Sequence, residues 1–513
     1  MPIPRLALAF ATLALAATSW AQSPCEKLMT THFPAITITS ATSVPAGTFT
    51  APVGGPRIPT FEAPPFCRVA AVVDTEVKFE LWLPLQWNTK LLSVGNGGLA
   101  GTISYSAMVK PLQLGYATSS TDTGHVNTGS GDATWALGHY ERILNFADRG
   151  THLMAEADKV ILAAFYGVPA AHAYFNGCSQ GGHEALIEAQ RHPEDYDGII
   201  AGDPANYWTH HYVGGHLWSA LATDGDAYIP AAKVPIIADA VNNACDELDG
   251  VKDGVLSDPR RCHFDPAKLL CAGSDTSACL AAPQVSAVVK IWAGLKAADG
   301  RQIWPGLVPG GEAGPGGWAN WITGTVPGKS GHLNLGLPFF RFMVFDDPAW
   351  DMHSFRLEPA DGFESDIDYM DAKLGAIFNA INPDLSAFKA RGGKLIQYHG
   401  WSDPDITPLN SIAYYESVQK AMGATADFYR LYMVPGMQHC NGGPGATTFD
   451  MVVPLDRWAN RGIAPESITA SKSANGVVTR TRPLCPYPQE AIWKGTGSTD
   501  DATNFVCAMP GQR

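Results

Sequence analysis

Charge is scarce in this 513-residue sequence: only 16% of residues are charged, with 35 Lys and Arg against 49 Asp and Glu, and no basic cluster. A chain with a formal net charge of -14 lacks the positive footprint that phosphate backbones and anionic lipids require. Nucleic acid and membrane surfaces are therefore excluded as partners. Beyond the N-terminus no apolar run is long enough to cross a bilayer. Internal repeats and low-complexity tracts are also absent. What remains is a globular chain long enough for one large domain with an insertion, or for two or three domains. Its 52 Gly, 38 Pro and 14 Trp favour many ordered loops over a helical bundle.

Residues 1–21 hold one cation, Arg5, an apolar run over 6–17, and small residues at Ser19 and Ala21. This pattern predicts a cleaved secretory signal, because the run is too short to anchor. The expected location is extracellular or periplasmic. Ten cysteines in an exported chain imply disulfides, although they allow roughly 945 pairings.

The stretch 173–186 begins as a short apolar strand, passes through Gly177-Cys178-Ser179-Gln180-Gly181, and continues as a predicted helix over 184–191. Strand, sharp turn and helix with Gly-x-Ser-x-Gly at the turn is the nucleophile elbow of α/β-hydrolases. The serine must stand proud of the sheet, and residues two before and two after it lie too close to backbone to carry side chains. The following helix N-terminus favours an oxyanion.

Strands are predicted at 68–74, 79–84, 90–95 and 116–120, the second alternating as a strand buried on one face does. A helix is expected over 151–166, and a buried parallel strand at 198–202. From about 206 to 384 the alternation of strand and helix fades, and half of the tryptophans fall there. Alternation resumes at 393–400 and 427–434. The expectation is an α/β-hydrolase core (22–205 and 386–513) split by an inserted lid domain (206–385).

A serine alcohol needs a base, and the base an orienting carboxylate, in chain order Ser, Asp, His for this fold. The two late strands lead into Asp403 and His439, with Asp405 as a rival acid. Parallel strands would bring both loops to the edge that carries Ser179. Cys178 directly precedes Ser179, and Cys440 directly follows His439. A disulfide between them would tie nucleophile to base. A second constellation is Asp246, Asp249 and Asp253, punctuated by Gly250 and Gly254. Such a loop suits a hard cation, though its spacing is not that of an EF-hand.

At Gly177–Gly182, the Asp403 loop after His399-Gly400, Gly436–Cys440, Gly95–Leu99 and Ser120–His125, the sequence resembles the tannase/feruloyl esterase family. The resemblance covers nearly the whole mature chain. It implies Ser179 as nucleophile, His439 as general base then acid, and Asp403 as orienter. It also implies oxyanion donors at Gln180 and at Gly97 or Gly98. It further implies structural calcium at Asp246, Asp249 and Asp253 with the Val251 and Val255 carbonyls, and no organic cofactor. The disulfides it implies are Cys245–Cys262, Cys25–Cys67, Cys271–Cys279 and Cys485–Cys507. The expected substrate is a small-molecule ester of an aromatic acid, hydroxycinnamoyl or galloyl. Alternatives are a terephthalate monoester, or a non-catalytic binding protein on the same scaffold. Asp122 and His125 read as loop braces, and Arg341 as a structural ion pair rather than a substrate contact. Oligomeric state is not encoded in any of these features.

Overall fold

The computed structural model describes residues 24–52, 59–99, 101–127, 129–359 and 364–511, so the expected signal segment lies outside the described residues. Nine strands form the main sheet, labelled in chain order. They are β1 (Ile36–Val44), β2 (Phe66–Val73), β3 (Val77–Pro84), β4 (Lys90–Val94), β5 (Ala117–Thr121), β6 (His172–Cys178), β7 (Gly198–Gly202), β8 (Lys394–Gly400) and β9 (Tyr429–Val434). Across the sheet the order is β1-β2-β3-β5-β4-β6-β7-β8-β9. The first three pairings are antiparallel. All later ones are parallel. The C-terminal ends of β6, β8 and β9 thus share one edge, as an α/β-hydrolase fold requires.

Two elements depart from expectation. The edge strand β1 was not foreseen, because its Ile-Thr-Ile-Thr-Ser-Ala-Thr-Ser-Val run is mostly small and polar, as its mixed exposure shows. Strand β3 alternates as expected, yet it is buried on both faces apart from Lys78. Its polar position, Glu80, is an interior acceptor. It binds Arg68, the Trp82 indole N–H at 2.8 Å and the Tyr105 hydroxyl at 2.8 Å. A buried carboxylate is tolerable only when paired in this way.

Helix α1 (Gly150–Tyr166) ends at Gly167, whose φ of 76° supplies the left-handed cap. It buries Met154, Ile161 and Leu162 in the core that also holds Phe175 and Leu186. Helix α2 begins at Gln180, immediately after Ser179, and runs to Arg191. The expected start at Glu184 is four residues late, because Gly181-Gly182 reads as loop in sequence. Those glycines serve contact instead: a Cβ on Gly182 would lie 2.2 Å from the Gly202 carbonyl.

Among the described residues, the chain between β7 and β8 adds no strand to the main sheet. It forms a second apolar core that includes Trp208, Trp304, Trp318, Phe339 and Phe340. Short helices and π-helical turns such as Tyr212–Trp218 carry it, which accounts for the lost periodicity. All ten cysteines are paired: Cys25–Cys67, Cys178–Cys440, Cys245–Cys262, Cys271–Cys279 and Cys485–Cys507.

A Cβ on Gly177 would lie 2.2 Å from the Gly181 carbonyl oxygen. Gly177→Ala is therefore expected to lower stability by about 1–3 kcal/mol, read as a reduced denaturant midpoint. An unchanged midpoint would refute that contact.

Candidate active site

Ser179 sits between β6 and α2 at φ 67°, ψ -121°. A non-glycine residue there stores on the order of 1–3 kcal/mol of backbone strain, which the packed glycines on both sides sustain. The turn aims Oγ at the loop after β9, where His439 Nε2 accepts its hydrogen at 2.9 Å. His439 Nδ1 faces Asp403 Oδ2 at 2.8 Å. Asp403 is buried after β8, and its Oδ1 accepts the N–H groups of Asp405 and Ile406 at 2.8 and 3.0 Å. Ser179, His439 and Asp403 therefore form one continuous line. The rival Asp405 stands off the line, its Oδ2 3.5 Å from His439 Nε2.

Burial works against a cation at His439, but Asp403, Asp405 and Asp203 outweigh it and raise the imidazole above the usual histidine range. The site thus stabilises the imidazolium that proton transfer from Ser179 would create. Asp405 is held well below the usual carboxylate range. Burial opposes its charge, and the imidazoles of His216, His332 and His439 prevail.

Asp203, which follows β7, escaped the sequence reading. Its Oδ1 accepts the Gly400 N–H at 2.7 Å, and its Oδ2 accepts the Cys440 N–H at 2.7 Å. One fully buried carboxylate thereby holds the loop that leads to Asp403 and the loop that carries His439. Burial pushes Asp203 up to about 6. The Cys178–Cys440 bridge, with Cα atoms 6.0 Å apart, fastens the Ser179 loop to the same point.

Glu184 on α2 was also missed as a brace. It accepts the Asn96 backbone N–H at 3.0 Å and the Asn96 side-chain amide at 3.3 Å. The Gly181 N–H returns a bond to the Asn96 carbonyl at 2.9 Å. These contacts hold the glycine-rich turn after β4 against the elbow. Gly98, at φ 61°, borders a cavity of about 10 Å³ together with Ser179, Gln180, His211, His216 and Asp405. Gly97 is not among the residues lining that cavity. The rings of Trp321 and His439 meet edge to face, their centroids 5.2 Å apart.

Residues 65–508 match the family model for tannase and feruloyl esterase. The chain belongs to this family. It is 41% identical to an uncharacterized esterase of Xanthomonas campestris pv. campestris, over 96% of this chain and 92% of that one. A mono(2-hydroxyethyl) terephthalate hydrolase of Piscinibacter sakaiensis is 33% identical over 85% of this chain and 82% of its own. Among solved structures, feruloyl esterase B from Aspergillus oryzae superposes with a TM-score of 0.85 at 26% identity, covering 94% of this chain and 99% of that one. This member of the tannase and feruloyl esterase family is accordingly a carboxylic ester hydrolase with an α/β-hydrolase-type fold.

The remaining expectations can be located on this esterase. Asp122 accepts the Lys78 and Gly124 N–H groups at 2.9 Å each. His125 meets the Leu99 carbonyl at 3.2 Å and stacks on Trp135 at 3.6 Å. Both brace loops. Among the described residues Arg341 makes no ion pair; its Nε donates to the Trp350 carbonyl at 2.9 Å. In the acidic loop, Asp246 Oδ1 accepts the N–H groups of Asp253, Gly254 and Val255. Asp249, Val251, Asp253 and Val255 line a cavity of about 20 Å³. The donors are all oxygen, as a hard cation requires. Arg480 and Arg482 also reach Asp253, so one wall of that cavity is already cationic.

Asp203→Ala would leave the Gly400 and Cys440 N–H groups without acceptors and release both loops from their common anchor. A fall in kcat of about ten- to a hundredfold is expected, with KM little changed. Asp203→Asn, which keeps an acceptor, should fall between. Wild-type kcat in the alanine variant would show that the loops do not need this carboxylate.

Proposed function

We propose that this esterase cleaves small-molecule esters of aromatic acids, hydroxycinnamoyl or galloyl, through an acyl-enzyme on Ser179. The observation that carries the reading is the Ser179–His439–Asp403 line at 2.9 and 2.8 Å, mounted on a strained elbow. In the proposed reaction His439 takes the Ser179 proton as Oγ attacks the ester carbonyl. It then passes that proton to the departing alcohol. Asp403 keeps Nδ1 protonated throughout. The N–H groups of Gln180 and Gly98 are assigned to the oxyanion, Gly98 being preferred over Gly97 because it borders the cavity beside Ser179. Water activated by His439 releases the acid. The cavity is narrow, so acyl binding requires side chains of the 206–385 segment, read as a lid, to give way.

The aromatic preference draws support from the probable feruloyl esterases among the relatives, one of them, from Neosartorya fischeri, 31% identical. Among the described residues that line the cavity there is no Lys or Arg to pair with the free carboxylate of a terephthalate monoester. Export is the reading that best fits five disulfides and the absence, among the described residues, of a helix able to cross a membrane. We also assign a structural calcium to Asp246, Asp249, Asp253 and the Val251 and Val255 carbonyls, where it would rigidify the loop closed by Cys245–Cys262.

Ser179→Ala should reduce turnover of methyl ferulate and methyl gallate by at least about 10⁴-fold while the protein stays folded. Rates on those esters and on a terephthalate monoester, measured side by side, decide the acyl preference; a faster terephthalate rate would overturn it. For the cation, a chelator should lower Tm by several degrees. An unchanged Tm would mean that Arg482 alone balances the loop.

A further inference from the structure

Beside the nucleophile lies a second cluster that ester hydrolysis does not use. His211, His216 and Asp405 are 2%, 1% and 2% exposed. One ring nitrogen from each histidine and one Asp405 oxygen lie within 4.8 Å of one another. His216 Nε2 is 3.0 Å from Asp405 Oδ1, and His332 Nε2 approaches the same oxygen at 3.4 Å. The second ring nitrogen of His216, Nδ1, is buried without a hydrogen-bond partner, as is Nδ1 of His211. Unsatisfied buried donors or acceptors are rare and call for a ligand. All three residues line the cavity of about 10 Å³ that reaches Ser179. That is about the room one water-sized particle needs.

The donor set favours a cation of a particular kind. Two imidazoles and one carboxylate make an N₂O set, which suits borderline divalent transition ions and not calcium or magnesium. His216 Nε2 and Asp405 Oδ1 now share a proton at 3.0 Å, close to the edge of a tetrahedral zinc shell, about 3.3 Å for bonds of about 2.0 Å, so an ion between them displaces that proton. Asp405 Oδ2 is in turn 3.5 Å from His439 Nε2.

We propose that His211, His216 and Asp405 form a binding site for a zinc-like divalent cation whose occupancy silences the nucleophile. An ion held there stands beside Ser179, withdraws Asp405 from His439 and fills the entrance of the acyl cavity. His332 is placed to join the shell. The binding stands on this geometry alone; the inhibition rests also on the catalytic reading of Ser179 and His439.

The test uses the full mature chain, kept saturated with calcium so that the acidic loop is not perturbed. Equilibrium dialysis against Zn²⁺ is expected to show one more tightly bound ion in wild type than in His211→Phe or His216→Phe. Co²⁺ in its place should give wild type the visible absorption of a four- or five-coordinate site with nitrogen ligands. Turnover of an aryl ester should fall as zinc binds and return with a chelator. In either variant the zinc needed for half-inhibition should rise at least about tenfold. Absence of the cobalt band in wild type overturns the site without reference to any variant, as does equal zinc stoichiometry in all three proteins. Zinc bound with full activity retained refutes the silencing. If zinc binds but no ester is turned over even in the metal-free protein, the catalytic reading fails and the binding claim survives.

Discussion

The proposed active site depends on keeping two distant pieces of chain at fixed separation. Ser179 and His439 meet at 2.9 Å although they are 260 positions apart in the chain. The residues beside them, Cys178 and Cys440, are joined covalently. Asp203 sits at the same point and binds the amide of Cys440 as well as that of Gly400. The bridge limits the distance between the loops. The carboxylate sets their orientation, because two short N–H···O bonds to different loops leave little freedom to rotate. Loops alone could not hold reacting atoms to the fraction of an ångström that the chemistry requires.

Around this anchor the site concentrates acids. Asp203, Asp403 and Asp405 all lie within the sphere of one imidazole. In a dry interior such charges would repel one another unless each had its own donors. They do. Asp203 takes two amides, Asp403 takes two amides and His439, and Asp405 takes His216. The same economy appears on the far side of Ser179, where Glu184 fixes the glycine-rich turn through Asn96.

What could be read from sequence was whatever left a local mark. The elbow announces itself because only glycine fits at 177, and the cysteines flanking Ser179 and His439 mark the tether. Asp403 and His439 were legible because each follows an apolar strand by a few residues. Asp203 also follows an apolar strand, but the Ser, Asp, His order calls for no second acid there, and Glu184 left no local mark. One is an aspartate after a strand and the other a glutamate in a helix, and only tertiary placement makes them braces. His211 and His216 face one cavity through the π-helical turns over Tyr212–Trp218, a spacing that a 3.6-residue period does not reveal. Strand β1 was hidden by composition, since Thr and Ser dominate it and its partner β2 supplies the apolar side.

The cystine between residues 178 and 440 has a consequence for the timing of activity. A freshly made chain with thiols at both positions would have its alcohol and its imidazole on two loops without a covalent link. Oxidation would then do more than harden a finished enzyme; it would complete the assembly of the reacting pair. If Ser179 and His439 act as proposed, catalytic competence would be acquired wherever the chain meets an oxidising compartment, and copies in a reducing one would hold their ester chemistry in check.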